Sequence, residues 1–165
     1  MRAQGRGHIV NVSSLAGRTA FPGLSAYVTG KYALEGMSQA LAAEAGPLGV
    51  RVTVLEPGGF ATGYGDALAE TAVRLPAYDQ NTGPVREALR GMRHNESLGR
   101  PEEFAELVLR VVATESAPLR LPIGADAYAY LAATEQLGQR ELAAGREFTQ
   151  NPVVAEAIAA LTETP

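Results

Sequence analysis

Three short apolar segments, rich in β-branched residues, alternate along the chain with longer segments of helical pattern. The apolar segments span 8–13, 50–59 and 119–124, and a helical pattern over 26–45 separates the first two. Short apolar runs of this kind are typical of buried strands in parallel sheets. Because strands that alternate with helices form parallel βαβ units, we predict an α/β fold with about three strands and flanking helices.

The second half of the chain continues this pattern. A helix is predicted over about 101–115, since Pro101 and two glutamates favour a helix start. The tail, 125–165, is rich in alanine and is predicted to be helical; Asp126 at its start is interpreted as a helix cap. We predict that 1–165 forms a single domain.

A segment of irregular composition, 60–100, follows the second predicted strand. It is too long for an ordinary connection and contains two short helical patterns, near 64–74 and 84–95. Ligands of open α/β sheets bind beyond the carboxyl ends of the strands. The position of this segment therefore predicts a substrate lid.

Composition argues against several classes of function. The net charge is −4 without a basic patch, which argues against nucleic-acid binding. Cysteine is absent, and His8 and His94 have no other ligand at metal-binding spacing, so we expect no disulfide and no metal. No apolar run approaches the roughly 20 residues of a membrane span, so we expect a cytoplasmic protein without membrane contact.

Lys31 is the only lysine among 14 basic residues, and it lies four residues after Tyr27 in the predicted helix. Residues at this spacing share one face of a helix. A phenol ionises near pH 10, and a nearby cation favours its ionised form. Ser14 ends the first predicted strand at the same edge of the sheet, thirteen residues before Tyr27. A hydroxyl beside an activated phenol can polarise a carbonyl oxygen and pass it a proton.

These segments, "GHIVNVSS", "YVTGK" and "VRVTVLEPGGFAT", resemble the short-chain dehydrogenase/reductase family over residues 7–62, and more loosely as far as 119–124. The resemblance implies a partial Rossmann-like fold, which is a doubly wound parallel sheet. It also implies an NAD- or NADP-dependent oxidoreductase that interconverts an alcohol and a carbonyl. Tyr27 would be the general acid/base, Lys31 would assist it and bind the nicotinamide ribose, and Ser14 would orient the substrate carbonyl.

The resemblance further implies a cofactor-binding loop after the second strand. Pro57, Gly58 and Thr62 would contact the nicotinamide carboxamide, with the backbone of Phe60 beside them. The Gly-rich turn that binds pyrophosphate in this family is not found in the sequence. We therefore predict that the chain is the C-terminal part of a family member, without the N-terminal Gly-rich cofactor-binding half, and that it is inactive alone.

The family commonly dimerises through the helix that corresponds to 26–45. Small residues at Ala33, Gly36, Ala40 and Ala43 permit close helix approach, so a homo-oligomer through this helix is expected. The alternative is a non-catalytic remnant that acts only by association with a partner or with family members.

Overall fold

Three parallel strands, in the order β1-β2-β3, form the sheet of a computed structural model that describes residues 1–69, 73–154 and 156. Strand β1 (Gly7–Val12) pairs with β2 (Val50–Pro57), which pairs with β3 (Arg120–Ile123). The predicted α/β fold with a three-stranded parallel sheet and flanking helices is confirmed. Each strand lies within two residues of its predicted limits.

Strand β2 is central in the sheet and carries most of its buried residues. Val54 and Leu55 are fully buried, and Val52 is nearly so. The β-branched residues suit a pleated surface that is packed on both faces. The strand starts after Gly49, which has a φ of 76° and lies so close to the Gly5 carbonyl that a β-carbon would not fit there. Only glycine meets both demands at this turn.

Helix α1 (Ser25–Ala45) covers β2 and the turn that follows β1. It begins one residue before the predicted helix and runs into a 3-10 turn, Gly46–Leu48, which contains a proline. The connection from β1 through α1 to β2 is therefore one βαβ unit. It places the carboxyl end of β1 and the first turns of α1 at the same edge of the sheet.

The predicted lid is only partly helical. Its first helical pattern, 64–74, forms a single 3-10 turn at Gly65–Ala67, and residues 70–72 lie outside the described part of the chain. Helix α2 (Asp79–Arg90) begins five residues before the predicted 84–95 and continues through Pro84. A 3-10 turn at Pro76–Tyr78 directly precedes this helix. Pro84 has no backbone N–H and therefore removes one hydrogen bond from the interior of the helix.

Helices α3 (Pro101–Ala113) and α4 (Ala125–Thr149) complete the described elements. In α3 the Glu103 side chain accepts from the Arg100 backbone N–H at 3.1 Å, which satisfies one free donor at the helix start. The chain divides into two compact units, Met1–Tyr130 and Leu131–Pro165. The tail is helical to Thr149, whereas positions 155 and 157–165 of the predicted helical tail lie outside the described residues. None of the helices in the described residues is long and apolar enough to cross a membrane.

Candidate active site

Tyr27 and Lys31 lie on one face of the first turns of α1, as their spacing predicts. The Lys31 Nζ atom is 5.7 Å from the centre of the Tyr27 ring. It donates a hydrogen bond of 2.9 Å to the carbonyl oxygen of Val12, the last residue of β1. The strand end thus holds the ammonium group beside the phenol and leaves two of its three N–H donors available.

Ser14 lies at the carboxyl end of β1, two residues after the strand ends. Its side-chain oxygen accepts from the backbone N–H of Ala16 at 3.1 Å, which caps the 3-10 turn Leu15–Gly17. Its O–H donor is not used in that contact. Ser14 can therefore donate to a substrate oxygen while its own position is fixed by the turn.

The loop after β2 is held to the rest of the sheet by Gly58 and Gly59. The Gly58 N–H donates to the Ile123 carbonyl at 2.8 Å, and the Gly59 N–H donates to Asp126 Oδ2 at 2.6 Å. The Asp126 carboxylate also fills the space that a β-carbon on Gly58 would need. Asp126 lies in the first turn of α4, and the sequence interpretation of Asp126 as a helix cap missed this contact with the loop.

Phe60 and Thr62 continue this loop. Phe60 pairs with Gly99 in an isolated parallel bridge, and its ring packs edge-on against Phe104 at a centroid distance of 5.4 Å. Thr62 accepts a hydrogen bond from the Tyr64 backbone N–H at 3.4 Å. Contacts to β3, α4 and α3 therefore fix the loop in which Pro57, Gly58, Phe60 and Thr62 were predicted to bind a cofactor.

Tyr64 is a residue of the site that sequence reasoning missed. Its ring lies 5.4 Å from the Tyr27 ring, with the two planes inclined by 54°. Burial raises the pKa of Tyr64 to about 12, and the nearby Tyr27 hydroxyl adds to this shift. The only sequence signal was an aromatic residue two positions after the predicted cofactor-binding Thr62.

A buried network of charges lies directly behind the site. Glu56, which immediately precedes Pro57, is completely buried, and Glu35 on α1 is 3% exposed. Arg120 on β3 contacts both carboxylates, with its Nε 3.2 Å from Glu35 and 3.7 Å from Glu56. Arg18 reaches Glu56 from the turn after β1 at 3.3 Å. The network joins the elements that carry Ser14, Lys31 and the loop.

Burial raises the pKa of Glu56, and the neighbouring Glu35 acts in the same direction. The cations of Arg18 and Arg120 oppose this shift. Desolvation disfavours the ionised form of a buried carboxyl group. The ionised form of Glu56 is therefore stabilised only by its arginine partners. The signal in the sequence was a glutamate that directly follows the apolar pair Val54 and Leu55 in the strand.

A cavity of about 400 Å³ lies between the end of the loop before α1 and the lid. Apolar side chains form much of its wall, among them Leu24, Leu75, Val85 and Leu89. Asp79 also lines it and is paired with Arg74 at 2.8 Å and with Arg86 at 3.4 Å. Leu24 lies three residues before Tyr27, so the cavity adjoins the start of α1.

Comparisons with known proteins show what the chain is similar to. The short chain dehydrogenase family model matches residues 1–72. The chain is 40% identical over 130 residues to oxidoreductase BOA17 of Botryotinia fuckeliana, with 79% of this chain and 47% of that protein covered. It is 34% identical over 127 residues to the uncharacterized oxidoreductase YusZ of Bacillus subtilis, with 75% and 45% covered. The chain thus spans about half the length of the curated relatives it matches.

A solved structure, the crystal structure of a short-chain dehydrogenase from Streptomyces avermitilis, matches with a TM-score of 0.76 at 34% identity. The match covers 91% of this chain and 54% of that one. Most of this chain therefore has a fold similar to that of part of that dehydrogenase.

The family-model match also corrects one prediction. The chain was expected to be only the C-terminal part of a family member, without the cofactor-binding half. The match lies on residues 1–72, the N-terminal cofactor-binding part of the chain, so that expectation is wrong. All residues that were predicted to bind the cofactor, from Tyr27 to Thr62, fall within it.

Proposed function

We propose that the chain is a member of the short-chain dehydrogenase/reductase family and a nicotinamide-dependent oxidoreductase that interconverts an alcohol and a carbonyl compound. The observation that carries the proposal is the pairing of Tyr27 with Lys31 at the carboxyl edge of the sheet. Beside it lies a loop, Pro57 to Thr62, that is tied to three other elements. Such a preorganised group of donors suits proton transfer to an oxygen.

The residues present fit the nicotinamide end of NAD or NADP. Lys31 has free N–H donors for ribose hydroxyls, because its bond to Val12 uses only one of three. The loop offers the Thr62 hydroxyl, whose O–H donor is not used in its contact with the Tyr64 backbone. When bound, the cofactor supplies or accepts a hydride at the substrate carbon. The choice between NAD and NADP stays open.

The protein's own groups supply the proton and the orientation. In the reducing direction, Ser14 donates a hydrogen bond to the carbonyl oxygen, and Tyr27 donates its phenolic proton to the same oxygen. The Tyr27 O–H bond breaks and the O–H bond of the alcohol forms. Lys31, held by Val12, places a positive charge beside the phenolate that remains, which stabilises it.

The cavity of about 400 Å³ supports a substrate with an apolar substituent. Its walls are largely apolar, and Asp79 is paired with two arginines. An apolar group would gain free energy by leaving water here, at about 25 cal/mol per Å² of buried surface. We therefore expect kcat/KM to rise with chain length in a series of methyl ketones.

Turnover of NADH and NADPH with such a series tests the proposal. Tyr27→Phe keeps the ring packing and removes the proton donor, so activity should fall by roughly 10²–10⁴-fold. Tyr128→Phe, at an exposed tyrosine, is the matched control and should leave activity unchanged. Equal activity of Tyr27→Phe and the control would contradict the proposal.

We also propose that the protein forms a homo-oligomer through α1. Four small residues of this helix, Ala33, Gly36, Ala40 and Ala43, are exposed, and a β-carbon on Gly36 would contact nothing. Met37 on the same helix is 48% exposed. An exposed helix surface with small residues and an apolar side chain supports close packing against a second copy. Association without catalysis is the alternative, and it predicts assembly in the absence of any turnover.

A further inference from the structure

Tyr64 places a second phenol beside Tyr27. The two ring centres are 5.4 Å apart, and the Tyr64 backbone is fixed by its hydrogen bond to Thr62. Gly65, the next residue, packs so closely against the Leu89 backbone that a side chain would not fit. The lid and the cofactor loop thus both determine where Tyr64 lies.

The Tyr64 hydroxyl oxygen is buried. The Tyr27 hydroxyl is near enough to raise the pKa of Tyr64, yet in the described part of the chain no group meets the Tyr64 oxygen at full hydrogen-bonding geometry. Buried polar atoms without a partner are rare in folded proteins. Moving a hydroxyl group out of water without a compensating hydrogen bond is unfavourable. A hydroxyl that remains unpaired at a functional site therefore indicates a hydrogen-bond partner that is present only during function. If ring packing were the only role of Tyr64, phenylalanine would serve as well.

The electrostatic surroundings keep Tyr64 neutral. Burial is the larger reason that its pKa lies near 12, and the Tyr27 hydroxyl is the next. Tyr64 is therefore protonated at neutral pH. Of the charged side chains, Lys31 of α1 lies beside the Tyr27 ring, and Asp66 lies two residues after Tyr64 in the chain. Asp66 and Arg93 form an exposed ion pair at 2.7 Å and largely offset each other.

We propose that Tyr64 is a positioning residue for Tyr27: its hydroxyl donates a hydrogen bond to the Tyr27 phenolate oxygen after Tyr27 has passed its proton to the substrate. The inference rests on the proposed role of Tyr27. The proton that moves is the one on Tyr27, and Tyr64 keeps its own and only shares it. Lys31 acts on the same oxygen through its charge, since its Nζ is 5.7 Å from the ring centre and is bonded to Val12.

Titration of tyrosines labelled with ¹³C at Cζ tests this without turnover. The Tyr27 resonance is identified by its loss in Tyr27→Phe. In Tyr64→Phe its titration midpoint should move up by about 0.5–1 pH unit, the effect of losing one hydrogen bond to the charged form. Tyr128→Phe should leave it in place. An unchanged midpoint in folded Tyr64→Phe would overturn the proposal.

Stability and kinetics separate this role from a structural one. Tyr64→Phe removes a buried, unpaired hydroxyl, so the melting temperature should stay the same or rise. The pH at which kcat/KM for alcohol oxidation reaches half its plateau should move up with the Tyr27 midpoint. A lower melting temperature without any shift of the midpoint would mean that Tyr64 is structural and would overturn the proposal. Absence of turnover together with the shifted midpoint would contradict the proposed enzyme and leave the Tyr64–Tyr27 bond supported.

Discussion

Replacement of Asp126 by alanine removes the acceptor that fixes the backbone of the loop after β2, which we propose binds the cofactor. The Gly59 N–H donates to Asp126 Oδ2 at 2.6 Å, a short bond to a charged group. Loss of such a bond leaves a partly buried N–H unpaired and costs about 1–3 kcal/mol. We expect the free energy of unfolding of Asp126→Ala to fall by about 2 kcal/mol, which corresponds to roughly 4–8 °C in melting temperature for a chain of this size.

Urea unfolding followed by circular dichroism measures this loss. Asp126→Asn keeps an oxygen acceptor and removes only the charge, so its loss should be about half as large. Glu106→Ala is the control, because Glu106 meets Arg110 only in an exposed pair at 3.8 Å, worth at most about 0.5 kcal/mol. The KM for the cofactor should rise in Asp126→Ala and stay unchanged in the control. Equal stabilities of Asp126→Ala and Glu106→Ala would refute the reasoning.

Further predictions concern neighbouring groups. Gly58→Ala should reduce activity because its β-carbon would meet the Asp126 carboxylate. Activity should partly return in the double variant Gly58→Ala, Asp126→Ala. If the activity losses of the two single variants simply add in the double variant, the proposed clash is wrong. Lys31→Arg keeps the positive charge but replaces the compact ammonium group with a planar guanidinium, so kcat should fall at least tenfold in steady-state assays. A kcat equal to that of the unmodified protein would argue against the role proposed for Lys31. Gly36→Trp should shift the mass measured by light scattering towards the monomer, whereas an unchanged mass would exclude this face from the interface. Burial raises the pKa of Glu56 above its ordinary 4.5, so the folded state binds its proton more tightly, and stability from this group declines as pH rises from about 4.5. Glu56→Gln should flatten that slope in urea titrations between pH 4 and 7, and an unaltered slope would contradict the assignment.

The parts of the site that sequence predicted are those set by local geometry. Tyr27 and Lys31 share a helix face because they are one turn apart, and Ser14 follows directly from the end of a strand. The strands were predictable because β-branched apolar residues mark a buried sheet. The helix in the lid was less predictable, because Pro84 suggested a helix start and the helix instead begins at Asp79.

The supporting contacts depend on residues far apart in the chain. Asp126 meets Gly59 across 67 residues, and Arg120 meets Glu35 across 85. No periodicity in the sequence encodes such pairs, since they arise only when the sheet brings α1, β2 and β3 together. The charged residues in apolar surroundings, Glu35 and Glu56, were visible as exceptions to the pattern. Their partners could be named only from the fold.

Isotope transfer from the cofactor tests the central claim most directly. With NADH or NADPH that carries deuterium at both C4 positions and a reducible ketone, mass spectrometry measures whether the product alcohol gains one deuterium at its carbinol carbon. The account predicts one deuterium per alcohol with the unmodified protein and with Tyr128→Phe, and a rate reduced by at least 10²-fold with Tyr27→Phe. Alcohol that forms without deuterium, or that forms equally fast with Tyr27→Phe, would contradict hydride transfer assisted by a proton from Tyr27.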